Sequence, residues 1–247
     1  MYDRKTTLEI LEQAKSIDPG FITYESAVHK YVLNAPVDTE LVRQAEEKFG
    51  FTLPEDYFYF ITEVGDGGAG PYYGLFRFSD FLRDKNDPSE KKRYEEHRLG
   101  QIKELSKTNY MSAGYLYDDV FKYSMKKECD PRPMRADEVE DFGIDKKFYD
   151  AHPERFFVQY ELNDNICEDR GFLTIGTAGC AYDNGVIITG EMRGKIFQTG
   201  EGVLELLADS FDDFYTRWLD ELADAEKYRQ KIERTKALRR KYCSGNS

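Results

Sequence analysis

The sequence predicts an α+β fold in which a single, mostly antiparallel or mixed β-sheet is covered by helices. Three observations carry this reading. Apolar residues at helical spacing fill the chain before Gly65, short β-patterned segments joined by turn residues follow Arg155, and a broad apolar helical face follows Ser210. The 17 Phe and 18 Tyr supply ample buriable surface for one well-filled core in 247 residues.

Residues 4–16 read as the first helix, with Leu8, Leu11 and Ala14 or Lys15 in step and Pro19-Gly20 as the stop. Asp38 or Thr39 caps a second, whose stripe is Leu41, Val42, Ala45 and Phe49, and Gly50 suits the left-handed C′ position. Pro54 opens a third, because a first helical turn tolerates a missing N–H; Tyr57, Phe60, Ile61 and Val64 share its face, and Gly65 ends it. Tyr73 to Phe78 then alternates as a strand does. From Ser79 to about Arg155 the chain turns charge-rich and proline-punctuated, which reads as an insertion with helical pieces such as 101–107.

Strands are expected at Phe156–Leu162, Gly171–Thr177, Gly185–Glu191 and Lys195–Gly200, with a short one at Val203–Leu207. The turn residues between them, Asp164-Asn165, Asp183-Asn184-Gly185 and Arg193-Gly194, make successive strands antiparallel neighbours. Ser210 and Asp213 have the spacing of a capping box before Phe211, Phe214, Tyr215, Trp218, Leu219 and Leu222. Past Leu222 the helix is expected to continue out of the core as a solvated, basic end. The expected division is therefore a helical extension at 1–37, a domain at 38–222 carrying the insertion at about 79–155, and a basic tail at 223–247.

Charge narrows the function. The formal net charge is −12, but residues 224–247 alone carry +5, which leaves −17 on the first 223. Such a body repels phosphate backbones and attracts cationic proteins, so the expected partner is a basic protein and not nucleic acid. The basic tail reads at least as well as a solvated helix face that clamps its own acidic body as it does as a membrane or RNA contact. The N-terminal run MYDRKTTLEILEQAK lacks an apolar signal core, and no segment approaches the roughly 20 apolar residues of a membrane span, so a cytoplasmic protein without membrane contact is expected. Cys129, Cys167, Cys180 and Cys243 show no C-x-x-C spacing and are expected as reduced thiols. His29, His97 and His152 lie far apart, and no G-x-S-x-G elbow occurs, so no metal, cofactor or catalytic residue is expected and the chain does not read as an enzyme.

One stretch, GDGGAGPYYG at 65–74, satisfies G-x-G-x-x-G. A dinucleotide fingerprint needs a strand before the glycines and a helix after them, so that helix N-terminal amides face the pyrophosphate. Here the order is reversed, and the stretch reads as a tight corner from helix to strand.

The run LPEDYFYFITEVGDGGAGPYYGLF, 53–76, resembles the signature of the SUKH superfamily, which groups fungal cell-wall synthesis regulators with bacterial immunity proteins of polymorphic toxin systems. GFLTIGTAGCAYDNGVIITGEMRGKIF at 171–197 is similar to the second block of that family, and DSFDDFYTRWL to its closing helix. The long insertion, the N-terminal helix and the basic tail depart from the pattern. The resemblance implies a non-catalytic immunity protein that neutralises a toxin domain, often a nuclease; the alternative within the family is a regulatory scaffold. Exposed residues near turns are the expected contacts: Asp66, Tyr72 and Tyr73 at the glycine corner, Glu161, Asp164, Glu168 and Asp169 between two candidate strands, and Asp183 and Glu191 in or beside the next hairpin.

Overall fold

A computed structural model describes residues 1–82, 131–158, 171–179, 182–200 and 203–243. Its strands are β1 (Arg132–Pro133), β2 (Phe156–Val158), β3 (Phe172–Gly179), β4 (Tyr182–Ile187), β5 (Ile196–Gly200) and β6 (Val203–Ala208). They form one antiparallel sheet in the order β1-β2-β6-β5-β4-β3, so the architecture is α+β. Among the described residues no helix is long and apolar enough to cross a membrane.

The caps expected at Asp38 and Ser210 are present, and three further caps appear at Asp3, Thr23 and Asp145. Helix α1 (Arg4–Ile17) begins where Asp3 accepts the Thr6 N–H at 2.7 Å. The short α2 (Tyr24–His29), capped by Thr23, has too few residues for a periodic signal and is absent from the sequence reading. Helix α3 (Thr39–Phe49) is capped by Asp38 and ends on Gly50 at φ +70°. Helix α4 (Glu55–Tyr59) widens into a π turn at Phe60–Val64, which buries Phe60, Ile61 and Val64 together. Helix α5 (Lys146–Ala151) is capped by Asp145. The Ser210 side chain accepts the Asp213 N–H at the start of α6 (Phe211–Ala223).

Strand alternation sorts the core. Leu173, Val186, Ile196 and Ala208 join α1, α4 and α6 in the main cluster, whereas the next residues along, Phe172, Ile187 and Phe197, pack with Leu204 on the opposite face. A third cluster sets Met134, Val139, Phe142 and Tyr149 against Phe156, Val158 and Val203 at the β1–β2 end of the sheet. Glu138 holds that end. It accepts from both terminal nitrogens of Arg132 at 2.8 and 2.6 Å and from the Arg135 backbone at 2.8 Å. The Arg132 hydrogen bonds, against the opposing effect of burial, lower its pKa from 4.5 to about 2. A depressed carboxylate stabilises the fold in full above its unfolded pKa, and that contribution fades as pH falls through the folded value. Wild type and Glu138→Gln are therefore expected to differ in melting temperature at pH 7 and to converge as the pH falls from 4.5 toward 2. A gap that persists unchanged to the acid end would contradict this.

Four expectations are corrected. Successive strands are antiparallel neighbours from β3 to β6, but β2 pairs with β6 and not with β3, so the first two expected strands do not form a hairpin. Asp183-Asn184-Gly185 is no turn but part of β4, because the ring of Phe172 on β3 fills the space over Gly185, only 2.2 Å from where a Cβ would stand. The final helix does not run on. Asp224 ends α6 with its N–H on Asp220 O, then caps α7 (Ala225–Cys243) by accepting the Lys227 N–H at 3.0 Å. A side chain that competes for backbone bonds breaks the helix, and α7 folds back to bury Tyr228 and Ile232 against the core. The strand expected at Tyr73–Phe78 is reduced to isolated bridges, with Leu75 facing Gly68 on one side and Gly176 on the other.

Candidate functional site: a groove at the glycine corner

The corner extends the sheet past β3. Phe76 N donates to Ile175 O at 2.7 Å, Gly68 and Leu75 exchange two bonds of 2.8 Å, and Ala69 N reaches Val32 O at 2.7 Å. These passes are so close that a Cβ on Gly67, Gly68 or Gly74 would lie 2.4 Å from a backbone oxygen. The amides of Gly65 to Ala69 all donate to main-chain carbonyls, of Phe60, Ala35, Gly65, Leu75 and Val32 in turn. Arg4 of α1 fastens the corner by donating to Asn34 O at 3.0 Å and to Val64 O.

Asp66 was expected at the surface and is instead 4% exposed. Its carboxylate accepts the Phe78 N–H at 2.6 Å and the Ser79 hydroxyl at 2.5 Å, where a short 3₁₀ helix (Phe78–Leu82) needs a cap. Burial pushes its carboxyl above the usual carboxylate range, against the charge-favouring hydrogen bonds from Ser79 and Phe78. Asp66 is thus an internal brace, and its exposure is corrected for a plain reason: a carboxylate beside two N-terminal amides is more useful to the fold than to solvent.

Tyr72 and Tyr73 are half-buried at the corner. Tyr72 sits at φ +57°, and Tyr73 lays its ring over Gly179, where a Cβ would come within 2.4 Å of it. Pro71 and Tyr72 of the corner line a groove of about 320 Å³ together with Leu207 of β6 and with Phe214 and Trp218 of α6. Behind Trp218 lies buried His29, its ring edge-on to the indole at 5.7 Å. Burial, partly opposed by Asp18, lowers the His29 pKa to about 4, and its Nδ1 accepts the Tyr31 N–H at 3.0 Å.

Four charged groups also line the groove: Glu25, Glu221, Arg155 and Arg217. Arg155 is held by Glu205 at 2.5 Å and Arg217 by Asp213 at 2.7 Å, so both guanidinium groups are matched from within. Glu25 and Glu221 share the ammonium of Lys231 from α7, at 3.5 and 3.0 Å. Burial works against that ammonium, but the two carboxylates outweigh it and raise its pKa. Aromatic walls beside carboxylates suit a cationic side chain, which gains both ion pairing and contact with ring faces.

Of the other expected contacts, Asp183 lies half-buried in β4, near the corner because Tyr73 covers Gly179 and Gly179 pairs with Tyr182. Glu191 is exposed in the turn after β4, at the far end of that strand, where Arg193 donates to Leu53 O. The structure therefore brings Tyr72, Tyr73 and Asp183 to one end and leaves Glu191 apart. Glu161, Asp164, Glu168 and Asp169 lie outside the described residues, as does the turn expected at Asp164-Asn165. Sequence reasoning missed Glu25, Glu221 and Lys231, whose convergence needs three helices; Trp218 was legible only as part of an apolar stripe. Among the described residues no group of three or more His, Cys, Asp or Glu is placed to hold a metal. Comparisons of the chain with protein-family models, with curated proteins and with solved structures gave no match.

Proposed function

We propose that this chain is a non-catalytic protein-binding module of SUKH type, an immunity protein that binds and neutralises a basic toxin domain. The observation that carries the reading is the segregation of charge, −17 on residues 1–223, together with a groove at the glycine corner where carboxylates stand beside Tyr72 and Trp218. A nuclease must hold phosphates and so presents cations; an acidic surface steers the encounter and then covers those cations, without turnover. Tyrosine and tryptophan at a concave site supply the large, ordered contact area that anchors interfaces. The reading predicts a toxin domain encoded beside this chain, and the test uses that domain. One equivalent of the chain is expected to abolish its action on nucleic acid, with an association rate that falls steeply as salt is raised. Full toxin activity in the presence of excess chain would overturn the reading.

A further inference from the structure

We propose that Lys231 is an autoinhibitory contact: its ammonium occupies the Glu25–Glu221 pair at the groove, and a lysine or arginine of the cationic partner binds there by displacing it. The inference rests on the protein-binding reading above and adds to it the site and its internal competitor.

The pair already holds a cation in this structure, with Lys231 Nζ 3.0 Å from Glu221 and 3.5 Å from Glu25. The same two carboxylates line the groove with Pro71, Tyr72 and Trp218, so a side chain entering from outside meets both charges and two aromatic rings. Arg155 and Arg217, the positive groups of the groove, are engaged by Glu205 and Asp213 and leave Glu25 and Glu221 as the carboxylates whose cation comes from the tail helix. Lys231 is also well placed to yield. Its side chain keeps 36% of its surface in water, while α7 is anchored elsewhere by buried Tyr228, whose hydroxyl meets that of Tyr31 at 2.5 Å, and by buried Ile232. Only the lysine side chain has to swing out; the helix stays docked. A partly solvated ion pair adds little net stability, so exchanging one cation for another is close to neutral, and aromatic contact with the incoming side chain decides the outcome.

The experiment exploits the single tryptophan of the chain, Trp218, which lines the groove and so reports its occupancy through intrinsic fluorescence. The full chain, Lys231→Met and Lys227→Met are titrated with a hexa-arginine peptide at low salt. Lys227 lies on the same helix, so its variant carries the same change of charge without touching the pair. Lys231→Met is expected to saturate at about fivefold lower peptide concentration than wild type, the lower end of ordinary coupling between competing ligands, while Lys227→Met shifts by less than about twofold. Adding Glu25→Gln and Glu221→Gln to Lys231→Met is expected to remove the gain, and Lys231→Gln serves as a second neutral variant, with thermal melts confirming that each is folded. Equal shifts for Lys231→Met and Lys227→Met, a gain that survives loss of both carboxylates, or no fluorescence response in any variant would overturn the proposal. Toxin neutralisation that is intact while Lys231 proves indifferent would sink this inference alone and leave the protein-binding reading standing.

Discussion

Gly68→Ala is expected to destabilise the fold by about 3 kcal/mol or more, among the largest effects of any single substitution in this chain. Gly68 has φ +104°, outside even the left-handed helical region that Asn or Asp tolerates, and its added Cβ would stand 2.4 Å from Val32 O. Neither partner can yield. Val32 O is already accepting the Ala69 N–H at 2.7 Å, and Gly68 exchanges two backbone bonds with Leu75, so relief of the clash breaks the pairing that extends the sheet. Gly50→Ala is the internal control: φ is +70° there, yet nothing lies within 4 Å of the new Cβ, and about 1 kcal/mol is expected. Denaturant unfolding of both variants measures the contrast. If Gly68→Ala cost no more than Gly50→Ala, close backbone approach would not be what the glycines serve.

Tyr215→Ala is expected to cost about 4 kcal/mol, and Tyr215→Phe about 1 to 2 kcal/mol. The ring is fully buried, stacked on Phe211 at 5.8 Å and tilted against Phe60 at 4.6 Å, so truncation opens a cavity at the junction of α4 and α6. The hydroxyl donates to Ala69 O at 3.0 Å and ties α6 to the glycine corner. Removing it alone leaves a buried carbonyl short of a partner, a smaller penalty than the cavity. Because Trp218 packs on Tyr215 at 5.5 Å, the phenylalanine variant should also keep the native tryptophan emission, whereas the alanine variant shifts it. Equal losses for the two variants would show that the hydrogen bond, and not the packing, dominates this contact.

The legible parts of the fold share one property: their signals are local. Asp38 and Ser210 cap helices from within a few residues of chain, and Gly50 ends one, so adjacent residues suffice to infer each. The reversed order of elements around Gly65 likewise made the corner readable, and the amides there are spent on backbone carbonyls. Other local signals misled where a distant group outbid them. Asp183-Asn184-Gly185 has the chemistry of a turn, but Phe172 across the sheet makes that glycine a strand residue. Asp66 looks like surface until the Phe78 amide and Ser79 hydroxyl, twelve and thirteen residues on, arrive at its carboxylate.

What the sequence determined by itself was both ends of α3, the start of α6, the alternating strands β3 to β6, the bend at Gly65–Gly74 and the separation of an acidic body from a basic tail. Tertiary structure alone decided that the tail turns back at Asp224 and delivers Lys231 to Glu25 and Glu221 beside Trp218. The physical reason is one of range. Capping and alternation are set by bonds between near neighbours in the chain, whereas a binding groove is made of side chains that approach only after the core has packed and fixed the directions in which they point.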